Sequence, residues 1–117
     1  MTVTDWQTIE APDEGCANRF PLSVAGACDE GFVVRFHSGL FAYINRCPHN
    51  GSPLDWVPER FFSEDGELLV CQTHGALFAP GSGACLAGPC PRGLSVLPLR
   101  EEGGRLYVPA GIDNPTG

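Results

Sequence analysis

The 117-residue sequence contains two short stretches that each place a thiol close to an imidazole. The first reads CPHNG at residues 47–51 and supplies Cys47 and His49. The second reads CQTHG at residues 71–75 and supplies Cys71 and His74. Proline and glycine in these stretches favour tight loops. Together the loops offer two sulfur and two nitrogen donors, which is a complete first coordination shell for a metal centre.

The residue types alone leave three interpretations open. Two Cys and two His are a ligand set of structural zinc, although zinc sites usually pair Cys with Cys and His with His at close spacing. One Cys and one His on each loop also fit a two-iron centre in which thiolates hold one iron and imidazoles hold the other. In the third interpretation the placement is chance, and the four side chains are core or surface residues.

The composition restricts the class of protein. The chain has 14 acidic and 7 basic residues, with a net charge of −7. Nucleic acids and anionic membranes need a basic surface, so we expect neither as a partner, whereas a basic protein partner is compatible. No stretch approaches the roughly 20 apolar residues of a membrane span, and residues 1–15 do not resemble a secretory signal. We therefore expect a cytoplasmic protein with reduced thiols.

The rest of the chain predicts an all-β scaffold that positions the two loops. Its 15 Gly and 11 Pro indicate many turns, and no helical periodicity persists over the length that a helix needs. Residues 1–18 are predicted to be an irregular lead-in with a possible edge strand at Trp6 and Ile9, residues 84–93 a loop, and the tail from residue 110 frayed. Strands are predicted at residues 19–24, 32–36, 40–45, 67–70, 76–79, 94–99 and 105–108, the last two as a hairpin.

The two stretches resemble the paired cluster-binding loops of Rieske-type [2Fe–2S] proteins, and GPCP at residues 88–91 resembles the proline loop that covers the cluster in that family. The resemblance spans about residues 19–109. It implies one [2Fe–2S] cluster, with Cys47 and Cys71 on the inner iron and His49 and His74 on the outer iron.

The resemblance also implies the architecture. A single domain, residues 1–117, is expected to be an antiparallel β sandwich or barrel with flexible ends. A small cluster-binding subdomain, about residues 45–92, would be inserted in a base subdomain formed by about residues 19–44 and 93–109. The interval between the two cluster-binding stretches is longer than is usual in the family, and residues 58–66, with at most a short helical turn around 59–62, are the expected insertion.

Four positions indicate which kind of Rieske protein this is. High-potential members carry a further Cys in each loop, joined as a disulfide, and a Ser and a Tyr that donate hydrogen bonds to the cluster sulfurs. In this sequence Ser52 and Thr73 stand at the positions of the two cysteines, so that the disulfide cannot form. Ala76 and Phe78 stand at the positions of the Ser and the Tyr. Because missing donors disfavour the more negative reduced cluster, we expect a potential near the low end of the Rieske range, about −150 mV.

The resemblance implies an electron carrier between a flavin-dependent reductase and a terminal oxygenase, and not an enzyme. Rieske oxygenases add a mononuclear iron held by two His and a carboxylate. This chain has three His, of which only His37, expected on the surface at a hairpin turn, remains for such a site. Two alternatives stay open, a small Rieske subunit of a larger redox enzyme such as a nitrite-reductase-type complex, and a zinc-stapled interaction module.

The other cysteines are expected to have no role in ligation. Cys16 is predicted to be free, and Cys28 to be a turn residue and not a ligand. Cys85 and Cys90 could form a disulfide across a short loop, or tune the cluster from the loop that covers it. We expect both instead to be reduced small hydrophobes because the cytoplasm is reducing.

Overall fold

The computed structural model describes residues 2–46, 54, 61–71, 75–88 and 92–113. These residues form strands and turns without a helix, which confirms the predicted all-β class. No helix that could cross a membrane occurs in this part of the chain. In chain order the strands are β1 (Val3–Ile9), β2 (Ala17–Val24), β3 (Ala27–Phe36), β4 (Gly39–Ile44), β5 (Leu69–Val70), β6 (Leu77–Phe78), β7 (Cys85–Ala87), β8 (Val96–Leu97), β9 (Arg100–Glu102) and β10 (Arg105–Ile112).

The described strands form two sheets. The larger sheet has the order β1-β10-β2-β3-β4-β8, with β9 paired to β10, and the smaller sheet has the order β5-β6-β7. Strand pairs are antiparallel except β10 with β2, which are parallel where Gly111 and Ile112 lie opposite Ser23 and Val24. The smaller sheet therefore carries the second cysteine–histidine stretch, which lies between β5 and β6. The division into a cluster-binding and a base subdomain remains a prediction.

The β3–β4 hairpin separates two apolar cores. Successive side chains of a strand point to opposite faces, so Phe32 and Val34 enter one core while Val33 enters the other, and all three are fully buried. The first core also contains Leu69 and Phe78 of the smaller sheet. The hairpin thus provides the wall on which the smaller sheet packs.

The turn of this hairpin has positive φ angles at both central residues, 49° at His37 and 67° at Ser38. Such turns match the twist of antiparallel strands but are unfavourable for residues other than Gly, Asn and Asp. The Glu14 carboxylate compensates by accepting hydrogen bonds from the backbone N–H groups of His37 (2.9 Å) and Ser38 (2.7 Å). The His37 side chain is 71% exposed, which confirms its predicted place at the surface.

Several predicted element boundaries are wrong because long-range pairing decided them. The edge strand that Trp6 and Ile9 suggested is confirmed as β1, at the edge of the larger sheet. Pairing with β10 extends it back to Val3, where an irregular lead-in was predicted, and the same pairing keeps β10 extended to Ile112, where fraying was predicted. Residues 85–87 form β7 against β6 within the predicted loop. Strand β10 forms its hairpin with β9 through Gly103 and Gly104, while β8, in the predicted partner segment, pairs with β4 instead.

Residues 61 and 62, within the predicted insertion, are extended rather than helical, and residues 63–66 form a turn. Phe62 forms an antiparallel bridge with Leu69, and the N–H of Val70 donates to the carbonyl of Phe61 at 2.8 Å. Phe61 is 1% exposed and stacks on Phe32 with ring centroids 4.4 Å apart. The segment leading into the second stretch is therefore held in the first core.

Candidate metal centre

Of the four predicted ligands, only Cys71 belongs to the described residues. Cys47, His49 and His74 lie outside them, as do Ser52, Thr73 and Cys90. In the described part of the chain, no three His, Cys, Asp or Glu side chains gather as a metal site. The structure therefore places one predicted ligand and the residues that flank the other three.

Cys71 follows β5 directly and is a fully buried thiol without a disulfide. The backbone around it closes on itself, because the N–H of Cys71 donates to the carbonyl of Ala76 at 2.9 Å and the N–H of Gly75 donates to the carbonyl of Cys71 at 2.8 Å. Gly75 has a φ of 74°, which glycine adopts without a steric cost. The two end residues of the second stretch, Cys71 and Gly75, are thus joined by a hydrogen bond, and its cysteine is buried.

The surroundings of Cys71 fit a thiolate that holds the inner iron of a [2Fe–2S] cluster. Its neighbours in the first core include Leu54, Phe61, Leu69 and Phe78, which keep water from the sulfur. A buried cysteine can also be an inert hydrophobe, but this one lies at the start of a loop that carries a histidine three residues later. A buried thiolate ligand followed in the sequence by a histidine ligand is the pattern expected of a cluster whose thiolate-bound iron is buried and whose imidazole-bound iron is nearer to the solvent.

The first stretch is held at both of its ends. Asn45 follows β4 immediately, and its Oδ1 atom accepts a hydrogen bond from the backbone N–H of Leu54 at 2.9 Å. Arg46 forms an ion pair with Asp29 of β3. The cysteine and histidine of this stretch lie between these two fixed points in the sequence.

The glycine that opens the predicted proline loop lies against the second stretch. Gly88 has a φ of 91°, and a Cβ atom built on it would lie 2.8 Å from the Cα atom of Ala76. Only glycine fits such a close approach of two backbones. Ala76 and Phe78, at the positions of the hydroxyl donors in high-potential relatives, are both fully buried.

Cys85 is disulfide-bonded, so the prediction that it is a reduced thiol is wrong. Its partner lies outside the described residues. Cys85 belongs to β7 and packs against the first core, where Cys71 also lies. The expected reducing cytoplasm is the reason for predicting a thiol, and the compartment does not show when two particular sulfur atoms lie close together in the fold. Cys16 is free, as predicted. Cys28 is also free, but it lies in β3, so its predicted place in a turn is wrong.

Sequence reasoning also missed the hydrogen bond that joins the two sheets. The Tyr43 hydroxyl of β4 donates to the carbonyl of Pro80, in the turn between β6 and β7, at 2.6 Å. Burial raises the pKa of Tyr43 to about 12. The only signal in the sequence is a tyrosine in an apolar strand, since a buried hydroxyl needs a partner.

Three solved structures show the same fold. The chain is similar to one in the complex of reduced oxygenase and oxidized ferredoxin in carbazole 1,9a-dioxygenase, with a TM-score of 0.72, 23% identity and coverage of 96% of this chain and 97% of that chain. The chain is also similar to the ferredoxin of carbazole 1,9a-dioxygenase from Nocardioides aromaticivorans IC177, with a TM-score of 0.64 and 22% identity over 93% of this chain and 98% of that chain. A longer chain in the reduced complex between oxygenase and ferredoxin in carbazole 1,9a-dioxygenase matches with a TM-score of 0.65 and 20% identity. The match covers 96% of this chain and 30% of that one.

The sequence comparisons point to one family. No curated protein sequence matches the chain. The family model of the Rieske [2Fe-2S] domain matches residues 5–98, which is most of the 117 residues. The chain therefore belongs to the Rieske [2Fe-2S] domain family, which is defined by one such cluster.

Proposed function

We propose that this chain is a one-electron carrier that accepts an electron from a flavin-dependent reductase and passes it to a terminal oxygenase. In this proposal Cys47 and Cys71 hold the inner iron and His49 and His74 the outer iron. The observation that carries it is the buried thiol of Cys71 at the start of a self-closed loop within a Rieske domain. The cluster supplies reversible one-electron chemistry, and the protein supplies a dry anchor on the thiolate side.

The partner class is supported by the similar structures and by the histidine count. The ferredoxin of carbazole 1,9a-dioxygenase is covered almost completely by this chain, and solved complexes contain such a ferredoxin together with its oxygenase. The third histidine, His37, is exposed and stacks on Phe36 with ring centroids 4.0 Å apart. Without a second spare imidazole, this chain has no ligand set for a mononuclear iron, so oxygen chemistry belongs to the partner.

We further propose that the carrier has a low potential and works in the cytoplasm. Buried apolar side chains at Ala76 and Phe78 support the low potential, because they cannot donate hydrogen bonds to a cluster sulfur. The acidic composition supports diffusion between protein partners. The Cys85 disulfide counts against a reducing compartment, so cell fractionation combined with thiol labelling is the test of location.

Three measurements test the function. Anaerobically purified protein should be red-brown and contain two irons and two acid-labile sulfides per chain, whereas a colourless zinc protein would refute the proposal. Stopped-flow mixing of the reduced protein with candidate oxygenases should then show reoxidation of the cluster. Co-elution with a large redox enzyme in gel filtration of native extract would favour a fixed subunit over a diffusible carrier.

A further inference from the structure

Asn45 has an amide side chain and is nevertheless buried, with 3% exposure. A buried amide is costly unless its donors and acceptor are all hydrogen-bonded. Asn45 is bound on both sides. Its backbone N–H donates to the carbonyl of Glu30 at 2.8 Å, its Nδ2 atom donates to the Glu30 carboxylate at 2.7 Å, and its Oδ1 atom accepts from the N–H of Leu54 at 2.9 Å.

These bonds connect the end of β4 to a residue nine positions further along the chain. Leu54 is fully buried and packs in the first core together with Cys71. The sequence between Asn45 and Leu54 contains Cys47 and His49. One side chain therefore fixes the separation between the two ends of the first cluster-binding stretch.

The neighbouring contacts fix the direction in which this stretch leaves the sheet. Arg46 pairs with Asp29, the residue before Glu30 on β3. The N–H of Arg46 donates to the carbonyl of Ile44 at 2.8 Å, which makes the turn tight. Asn45 and Arg46 are thus tied to two consecutive acidic residues of a strand that is central to the fold.

We propose that Asn45 is a positioning residue for the first cluster-binding stretch. It holds both ends of the stretch so that the first cysteine and histidine are presented in a fixed geometry, and it does not act as a ligand. The inference rests on the proposed function. Asparagine suits this position because it donates to the carboxylate of Glu30 and accepts from the N–H of Leu54 at the same time.

A donor–acceptor exchange tests this role. In Asn45→Asp a carboxylate oxygen replaces the donor that faces Glu30, so two acceptors meet and repel each other. We expect this repulsion to turn the side chain out of the position in which it accepts from the N–H of Leu54, which loosens the link between the two ends of the stretch. In the double variant Asn45→Asp/Glu30→Gln the amide is on the other side, the bond can form again, and the net charge equals that of the wild type. Glu30→Gln alone keeps an acceptor for Asn45.

We expect Asn45→Asp to lose its cluster to a chelator about tenfold faster or more, read from the visible absorbance, and to shift in reduction potential. The double variant should recover most of the wild-type rate and potential, and Glu30→Gln should stay near the wild type. Val108→Ala is the matched control, because Val108 is fully buried in the second core, whereas Leu54 and Cys71 belong to the first core.

The positioning role of Asn45, here called the clamp, is refuted if Asn45→Asp and Val108→Ala lose the cluster at the same rate when they are compared at equal melting temperature. It is also refuted if the double variant Asn45→Asp/Glu30→Gln does not retain the cluster better than Asn45→Asp. Hydrogen exchange at the Leu54 amide gives a second readout, expected to be faster in Asn45→Asp and restored in the double variant. Wild-type protein that assembles no [2Fe–2S] cluster would refute the proposed function instead, while the Leu54 amide would still report on the clamp.

Discussion

At the scale of single residues, the three free cysteines among the described residues allow a proposed iron ligand to be compared with cysteines that are not expected to bind iron. Cys71 is fully buried, whereas Cys16 and Cys28 are exposed. We expect Cys71→Ser to purify without the full complement of iron and acid-labile sulfide, because an alkoxide is a poor substitute for a thiolate at this site. Cys28→Ser, the matched control, should keep both. Equal iron content in the two variants would contradict the role of Cys71.

The position of Ala76 tests the expected low potential. Ala76→Ser places a hydroxyl where high-potential relatives carry one, next to the loop that begins at Cys71. A hydrogen bond that favours the reduced state tenfold raises a one-electron potential by about 60 mV. We expect a rise of this order in a redox titration monitored by electron paramagnetic resonance. The same substitution at the exposed Ala84 should leave the potential unchanged, and an unchanged value in Ala76→Ser would contradict the prediction.

At the scale of the elements, the two sheets are joined by a polar bond inside an apolar contact. Tyr43→Phe removes the hydroxyl and leaves the carbonyl of Pro80 without this donor, which we expect to lower the free energy of unfolding by about 1–2 kcal/mol. Urea denaturation measures this loss. Tyr107→Phe, on β10, is the control, and an equal effect of both substitutions would show that the bond does not stabilise the contact.

The same tyrosine predicts an alkaline limit to stability. Its pKa is raised from 10.0 to about 12 in the folded state, so the neutral form is favoured by folding. The stability from this shift is complete below pH 10 and is lost as the pH rises towards about 12. We expect the wild type to lose more stability than Tyr43→Phe over this interval. Parallel curves for the two proteins would exclude Tyr43 as the titrating group.

Gly88 joins the predicted proline loop to the loop of Cys71. Gly88→Ala combines an unfavourable φ of 91° with a Cβ atom 2.8 Å from the Cα atom of Ala76, so the two backbones must separate. Gly26→Ala is a matched control, because Gly26 has a φ of 83° and nothing within 4 Å of the added Cβ. We expect Gly88→Ala to cost about 1–3 kcal/mol and to speed cluster loss, beyond the strain that both variants share. Equal losses would show that the close approach is unimportant.

The elements differ in how well the sequence predicts them, because the physical signals have different ranges. In β2 the residues Phe20, Leu22 and Val24 alternate with exposed ones, and this local pattern predicts the strand. Strands β1 and β7 lack such a pattern and form through partners far away in the chain. The candidate site shows the same division. The spacing of Cys71 and His74 is a local signal, whereas the hydrogen bond of Tyr43 reaches a carbonyl 37 residues away.

At the scale of the whole molecule, the excess of acidic residues predicts how the proposed carrier would meet its partner. The net charge is −7, and acidic pairs lie exposed on both sheets, with Glu64 and Asp65 beside β5 and Glu101 and Glu102 at the β9–β10 hairpin. The side chain of Ser63 donates to the carboxylate of Asp65 at 2.5 Å and lowers its pKa. These charges can steer the chain towards a basic surface.

Electron transfer to the oxygenase should therefore depend on salt. Since the Debye length falls from about 10 Å at 0.1 M to about 3 Å at 1 M, we expect the second-order rate constant in stopped flow to fall about tenfold over that range. Two charge-matched variants, Glu64→Gln/Asp65→Asn and Glu101→Gln/Glu102→Gln, each remove two negative charges from one sheet. The variant whose rate constant depends less on salt than that of the wild type identifies which acidic pair lies near the surface that the partner approaches. A rate that is constant or rises with salt would mean that the acidic surface does not steer docking, and that shape and apolar contact alone determine recognition.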